Sequence, residues 1–260
     1  MQIIRLENVT VTTAKTPLLE AVSVAVDSGE VLGIIGPNGS GKTSLLRTIS
    51  GDIALTSGAI SMAGQPVEQI HAQQRACQLA VLPQLSSLNF PFTVEEVVAL
   101  SRIPHSTGRR CDRRIVEEAL KAMDIIYLKK RLYTHLSGGE KQRVQLARVM
   151  AQVWRSEDAP EGRLLLLDEP TSALDLGHQQ QLMNVIRDFA RQGVAIIMVV
   201  HDINLASRYA DNVLALSGGR VAAYGQPSNV IKAEVIKQLY GVDVGIINHP
   251  DNNHPMLLGV

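Results

Sequence analysis

The sequence predicts an α/β fold: a parallel sheet, an antiparallel β portion near the amino terminus, and an all-helical insertion in the middle of the chain. Three observations carry this. Short runs rich in β-branched residues open the chain, and continuous apolar runs (Leu164-Leu165-Leu166-Leu167 and residues 195–200) return late in it. Between them, residues 93–102, 112–123 and 139–153 carry apolar side chains at helical spacing with polar residues between.

Residues 3–9, 21–26 and 31–35 read as strands, separated by polar or glycine turns such as Asp27-Ser28-Gly29. The third runs straight into Gly36, and residues 42–49 suit a helix. Residues 57–62 and 80–82 are further short strands, after which the three helical stretches follow. The runs 164–167 and 195–200 have the unbroken apolar character of strands buried on both faces of a parallel sheet. Residues 178–191 supply the helix between them. Residues 212–216 and 221–224, split by Ser217-Gly218-Gly219-Arg220, predict a hairpin before a helix over 229–239, and the tail from Gly241 is expected to be irregular. No repeat or low-complexity linker interrupts the chain. Residues 1–260 therefore read as one domain, with 1–87 and 154–240 forming the sheet core and β portion, 88–153 the helical portion and 241–260 the tail.

The bulk numbers bound the function. A chain of 260 residues that is 45% hydrophobic can bury a large core. Its 25 Lys+Arg balance 25 Asp+Glu, so no global field draws it to nucleic acid or an anionic lipid surface. Cys77 and Cys111 stand in no disulfide or metal spacing, which suits a reduced cytosol. The apolar runs 164–167 and 194–200 fall far short of the roughly 20 residues that span a bilayer. Met1-Gln2-Ile3-Ile4-Arg5 lacks the basic-then-apolar pattern of a secretion signal. Any connection to a membrane is expected to run through another protein.

Three motifs carry chemistry. Gly36-Pro37-Asn38-Gly39-Ser40-Gly41-Lys42-Thr43 matches the phosphate-loop pattern completely and continues into Ser44. Its glycines let backbone N–H groups converge on phosphate oxygens, Lys42 reaches the β and γ phosphates, and Thr43 offers a hydroxyl to Mg²⁺. Asp168 and Glu169 end the four-leucine strand, where carboxylates emerge at the edge of the sheet used by ligands. Asp168 is suited to holding Mg²⁺ and Glu169 to polarising an attacking water. Ser137-Gly138-Gly139 opens a helix beginning near Glu140 and forms an anion site of its own. Gln84 and His201 each follow a predicted strand, where a side chain could face the γ phosphate.

Taken in order, residues 36–43, Gln84, Leu136-Ser137-Gly138-Gly139-Glu140, residues 164–169, Ser172-Ala173-Leu174-Asp175 and His201 resemble an ATP-binding-cassette (ABC) ATPase over nearly the whole chain. The resemblance implies a P-loop NTPase core with an antiparallel β subdomain and an inserted all-α subdomain, using ATP and Mg²⁺. It also implies a head-to-tail homodimer in which each ATP lies between the phosphate loop of one subunit and Ser137, Gly138 and Gly139 of the other. On this reading Gln84 senses Mg²⁺ and the transport partner, Asp175 communicates across the dimer, and His201 contacts the γ phosphate. Lys42, Glu169 and His201 are the catalytic set, and Thr43, Gln84 and Asp168 the metal set. The implied partners are two copies of an integral membrane permease and a periplasmic or surface substrate-binding protein. The implied location is peripheral, on the cytoplasmic face of the inner membrane.

One element departs from the family. Val11-Thr12-Thr13 stands where such ATPases stack adenine on an aromatic residue, so base contact is expected to be apolar and no stacking residue is assigned. The stretch Asn89-Phe90-Pro91-Phe92-Thr93-Val94-Glu95-Glu96-Val97-Val98 and the turn Arg102-Ile103-Pro104-His105 are similar to importer ATPases for iron chelates, vitamin B12 and heme. Phe90-Pro91-Phe92-Thr93 and the tryptophan-containing insertion over 153–163 resemble the heme-importing members most, with an iron siderophore or B12 as the alternative cargo. ABC ATPases acting on DNA or ribosomes typically carry coiled-coil insertions or two linked cassettes; this chain has neither, and its neutral charge argues against nucleic acid. His249 and His254 read as a structural tail, because a metal site needs about three or four protein ligands. Arg109, Arg110, Arg113 and Arg114 read as a solvated face.

Overall fold

A computed structural model describes residues 1–13, 16–84, 88, 90–154, 162–250 and 254–259. Strands β1 (Gln2–Thr13) and β2 (Thr16–Asp27) pair antiparallel, and β4 (Ser57–Met62) and β5 (Gln65–Pro66) extend the sheet in the order β2-β1-β4-β5. A second sheet contains β3 (Val31–Ile35), β6 (Leu79–Leu82), β7 (Leu164–Asp168), β8 (Ala195–Val199), β9 (Asn212–Ser217) and β10 (Arg220–Gly225). Its order is β10-β9-β3-β8-β7-β6, all parallel except the β9–β10 hairpin.

Every residue of β3, β7 and β8 is buried, and the period of two divides each strand between two cores. Leu164 and Leu166 face one cluster, with Leu32, Ile34, Ile197 and the inner residues of the antiparallel sheet. Leu165 and Leu167 face the other, with Ile196, Met198 and the apolar sides of the helices. This two-sided burial is the physical reason for the unbroken apolar runs in the sequence.

Helix α1 (Lys42–Ile49) follows β3, and α2 (Ala72–Gln78) precedes β6. The insertion consists of α3 (Val94–Ala99), α4 (Arg109–Ala122) and α5 (Gly138–Gln152); its described residues contain no strand beyond one isolated bridge, Thr93 to Leu132. The expected helix over 93–102 is α-helical only to Ala99 and then tightens to a 3₁₀ turn, Leu100–Arg102. That turn delivers the buried Arg102, whose Nε donates to Asp112 Oδ1 at 3.0 Å and whose Nη1 donates to the Ala151 carbonyl at 2.7 Å. Gln152 Nε2 in turn donates to the Ala76 and Leu79 carbonyls at 2.8 and 3.1 Å. The insertion is thus fastened to the approach of β6. Trp154 meets Phe189 edge-on with ring centroids 4.9 Å apart and donates its indole N–H to Glu118 at 3.0 Å. Residues 155–161 of the tryptophan-containing insertion, and Asn89, lie outside the described residues. Arg109, Arg110, Arg113 and Arg114 are exposed on α4.

The remaining helices are α6 (Leu176–Arg191), α7 (Ile203–Tyr209), α8 (Pro227–Val230) and α9 (Ala233–Tyr240). Two sequence expectations are corrected here. The single helix over 229–239 is two, because Val230 and Ile231 are both buried and the chain extends at Lys232 before α9 buries Ile236 and Leu239. One continuous helix would turn Ile231 and Ile236 to different faces. The tail is not irregular but a hairpin of β11 (Gly245–Asn248) and β12 (Pro255–Leu258). Each strand has only four residues, too few for a clear alternation, and its order comes from docking on α7. Asn204 donates to the Leu257 carbonyl at 3.1 Å and accepts from the Leu257 N–H at 2.8 Å, while Ser207 donates to the Pro255 carbonyl. His249 and His254 stack in this hairpin with centroids 4.8 Å apart. Among the described residues no group of three His, Cys, Asp or Glu is placed to hold a metal. Helices α2 and α7 and strand β5 have no counterpart in the sequence expectations.

Candidate nucleotide site

The register of the parallel sheet assembles the site. Ile34 lies opposite Val199, Val199 opposite Asp168, and Leu167 opposite Leu82. Three strands therefore share one row and β6 ends one row below it, and the residues just beyond them, Gly36, His201, Glu169 and Gln84, gather at the carboxyl edge of the sheet.

Between β3 and α1 the loop depends on glycine at two positions. Gly36 has φ 147°, and a Cβ there would stand 2.2 Å from the Leu216 carbonyl oxygen. Gly41, at φ 102°, would bring one 2.8 Å from the Leu18 carbonyl oxygen. Because Gly41 also occupies the N-cap of α1 and has no side chain to cap it, the first N–H groups of the helix remain available to an anion. Lys42 is only 6% exposed. Its Nζ donates to the carbonyls of Gly36 at 2.7 Å and Pro37 at 2.9 Å. Burial pushes the ammonium below its ordinary value, while Glu169 and Asp168 act in the opposite direction.

Asp168, at the end of β7, is 4% exposed, and its Oδ1 is buried without a hydrogen-bond partner. Burial raises this carboxyl above the usual range, opposed by the Thr43 hydroxyl and assisted by the nearby Glu169. A divalent cation fits that unsatisfied oxygen. Glu169 adopts φ 52°, a left-handed conformation that typically costs a non-glycine residue on the order of 1–3 kcal/mol. The turn is held by Glu169 N–H donating to the Val199 carbonyl at 3.2 Å and Ser172 Oγ donating to the Glu169 carbonyl at 3.1 Å. It sets Glu169 Oε1 2.6 Å from His201 Nε2. With Nε2 as donor, the other carboxylate oxygen stays available to accept a proton from water.

Lys42, Thr43, Ser44, Gln84, Glu169 and His201 line one cavity of about 670 Å³, together with Asn38, Gly39 and Gly41 of the loop. Its far wall is made by residues that sequence reasoning did not single out: Thr16, Pro17 and Leu18 at the start of β2, and Gly218 and Gly219 in the β9–β10 turn. Gly219 is drawn against β2 by Glu20 N–H donating to its carbonyl at 2.8 Å, and its own N–H donates to the Ser40 carbonyl at 3.0 Å. The only signal for this wall was the glycine pair in the predicted hairpin. No local pattern connects it to Pro17 and Leu18.

Ser137, Gly138 and Gly139 do not line the cavity. Ser137 is the N-cap of α5 in a reciprocal capping box: its Oγ accepts from Glu140 N–H at 3.3 Å, and Glu140 Oε2 accepts from Ser137 N–H at 2.7 Å. The Ser137 backbone N–H, and after it the Ser137 hydroxyl, hold the Glu140 carboxyl below its usual range. The helix start is exposed at Ser137 and Gly138, and a Cβ on Gly138 would meet nothing within 4 Å. Gln142 Nε2 donates to the Pro170 carbonyl at 3.2 Å, tying α5 to the turn that follows Glu169. Asp175 caps α6, accepting from His178 N–H at 2.8 Å.

A family model described as ABC transporter matches residues 19–172. The hemin import ATP-binding protein HmuV of Pseudomonas fluorescens strain Pf-5 is 47% identical over 98% of this chain and 99% of its own length. HmuV of Gloeobacter violaceus is 47% identical over 93% of this chain and 88% of its own. Among solved structures, the ATP binding subunit of an ABC transporter superposes with a TM-score of 0.78 at 25% identity, covering 93% of this chain and 95% of that one. The ADP conformation of an ATP-binding cassette gives a TM-score of 0.79 at 21% identity, covering 94% and 100%. With a family model spanning more than half of the chain and relatives of such identity along nearly all of it, the chain belongs to the ABC transporter family, as an ATP-hydrolysing subunit.

Proposed function

We propose that the chain powers hemin import, acting as a head-to-tail homodimer under two copies of a membrane-spanning permease, with a separate protein delivering the cargo. The observation that carries the cargo is the 43–47% identity, over nearly the whole chain, to HmuV proteins of several bacteria. None of the described helices is long and apolar enough to cross a membrane. A peripheral position on the cytoplasmic face, reached through the permease, accords with that.

Within each subunit, the loop of residues 36–44 receives the triphosphate through backbone N–H groups from Gly39 to Ser44, while the Gly36 N–H stays with Tyr240. Lys42 exchanges the Gly36 and Pro37 carbonyls for β and γ phosphate oxygens. Thr43, Gln84 and Asp168 would hold Mg²⁺, which when bound neutralises phosphate charge. Glu169 takes a proton from the attacking water, and His201, hydrogen-bonded to it, orients the carboxylate and faces the γ phosphate. Support for a composite site comes from the outward-facing start of α5: an exposed, glycine-lined helix terminus outside its own cavity suits the γ phosphate held by another subunit. Asp175 lies six residues beyond Glu169 in the sequence and is suited to reporting closure between subunits. Because the second grip needs the γ phosphate, ATP favours the closed dimer and hydrolysis releases it.

Glu169→Gln is expected to lower hydrolysis by about 10²–10⁴ while ATP still binds and the dimer accumulates on a sizing column; undiminished hydrolysis would remove Glu169 from the role of base. In mixed dimers, Lys42→Ala in one subunit and Ser137→Ala in the other should leave one intact composite site and measurable turnover. Equal failure of both sites would rule out the arrangement across subunits.

Asp168 yields a stability prediction. Burial raises its carboxyl in the folded protein above the range of the unfolded chain, so its ionisation costs stability as pH rises through that window. Asp168→Asn should therefore raise the melting temperature of the metal-free protein at pH 7 and abolish the stabilisation by Mg²⁺-ATP. A lower melting temperature would contradict the assignment of burial as the dominant cause. The cargo is tested by reconstituting the ATPase with its co-purifying permease and comparing transport of hemin, an iron siderophore and vitamin B12. Stimulated uptake of hemin is the expected result, and uptake of another cargo alone would refute the hemin assignment.

A further inference from the structure

The phosphate loop is also held from the far end of the chain. Tyr240 Oη accepts from the Gly36 backbone N–H at 3.0 Å, a bond between residues 204 apart in sequence. Tyr240 is the last residue of α9, and Gly241 closes that helix at φ 72° with its N–H donating to the Lys237 carbonyl at 2.8 Å. Burial raises the phenol above its ordinary value, so the hydroxyl keeps its proton at neutral pH. Beyond Gly241 the β11–β12 hairpin returns to α7, where Asn204 makes two hydrogen bonds to Leu257. Helix α7 begins two residues after His201. One carboxyl-terminal segment is therefore fastened both to the first amide of the phosphate loop and to the helix that follows His201.

Gly36 has no side chain by which it could be held, and none fits, because a Cβ would collide with the Leu216 carbonyl oxygen at 2.2 Å. Only its backbone groups can be anchored. The carbonyl, with that of Pro37, accepts from Lys42 Nζ, whereas the N–H goes to Tyr240. The first of these anchors is temporary: an ammonium that moves to β and γ phosphate oxygens gives up the carbonyls. The second engages the opposite polar group and does not compete with phosphate.

We propose that Tyr240 is a positioning residue for the ATPase reaction, keeping the start of the phosphate loop in place when Lys42 changes partners and so setting nucleotide affinity without touching the nucleotide. The proposal rests on the reading of residues 36–43 as the triphosphate site. Tyr240 does not line the cavity, so its influence passes through Gly36. Without nucleotide, Lys42 still anchors the loop if the hydroxyl is lost; with nucleotide, nothing replaces it. The loss of this bond therefore falls on the bound state.

Tyr240→Phe removes only the hydroxyl. Calorimetric titration with ADP and with a non-hydrolysable ATP analogue should show both dissociation constants weakened about five-fold, the equivalent of one hydrogen bond of about 1 kcal/mol. At saturating ATP kcat should stay within about two-fold of wild type while KM rises in step with the dissociation constant. Unchanged dissociation constants overturn the proposal, whether or not the melting temperature falls, because a purely structural tyrosine would lower stability and leave affinity alone. A fall in kcat with unaltered affinity overturns it as well. Wild-type protein that binds neither nucleotide would instead refute the phosphate-loop reading, a result separable from any behaviour of the variant.

Discussion

The register of three parallel strands is the constraint on which the rest depends. Ile34, Val199 and Asp168 share one row, so the loop after β3, the histidine after β8 and the carboxylate at the end of β7 emerge side by side. A shift of one residue in β7 would leave leucine facing both cores but would carry Arg163 or Glu169 into a buried position of the strand, and that makes the shift expensive. The geometry of the site is therefore secured by the pairing of buried strands below it. No residue of the site has to secure its own position against that pairing.

Against this rigid base the site contains groups that do not favour folding. Asp168 is a buried carboxylate with an oxygen unsatisfied, Lys42 is a buried ammonium resting on backbone carbonyls, and Glu169 occupies a left-handed conformation. Each is locally unfavourable and chemically disposed: the first suits a metal, the second suits phosphates, and the third aims a carboxylate at the cavity. Their cost is spread over two cores, and family membership carries the ATP and Mg²⁺ chemistry they suit.

The helical insertion follows a different logic. Its internal ties are polar and specific, with Arg102 and Gln152 fastening it to α5 and to the approach of β6, while Gln142 couples α5 to the turn after Glu169. Ser137 spends its hydroxyl on capping its own helix and leaves the glycine-flanked terminus facing outward. The capping box thus organises a helix start that lies outside its own cavity.

Much was legible in the amino-acid order alone, for reasons that are local. The phosphate loop, the paired acids, the Ser137 cap and the two-faced burial of β7 and β8 each depend on a few adjacent residues whose chemistry or periodicity has one structural solution. The sequence by itself thus determined the fold class and the identity of the chemical groups. Tertiary structure decided what adjacency cannot encode. The tail of two four-residue strands became a hairpin only because α7 offers Asn204 and Ser207 as partners. The helix before it divided because Val230, Ile231 and Ile236 all had to reach the core. Pro17 and Leu18 became a wall of the cavity only when Gly219 was drawn against β2. In each case the deciding contact joins segments far apart in the chain, and such contacts are made by the packing of the whole molecule.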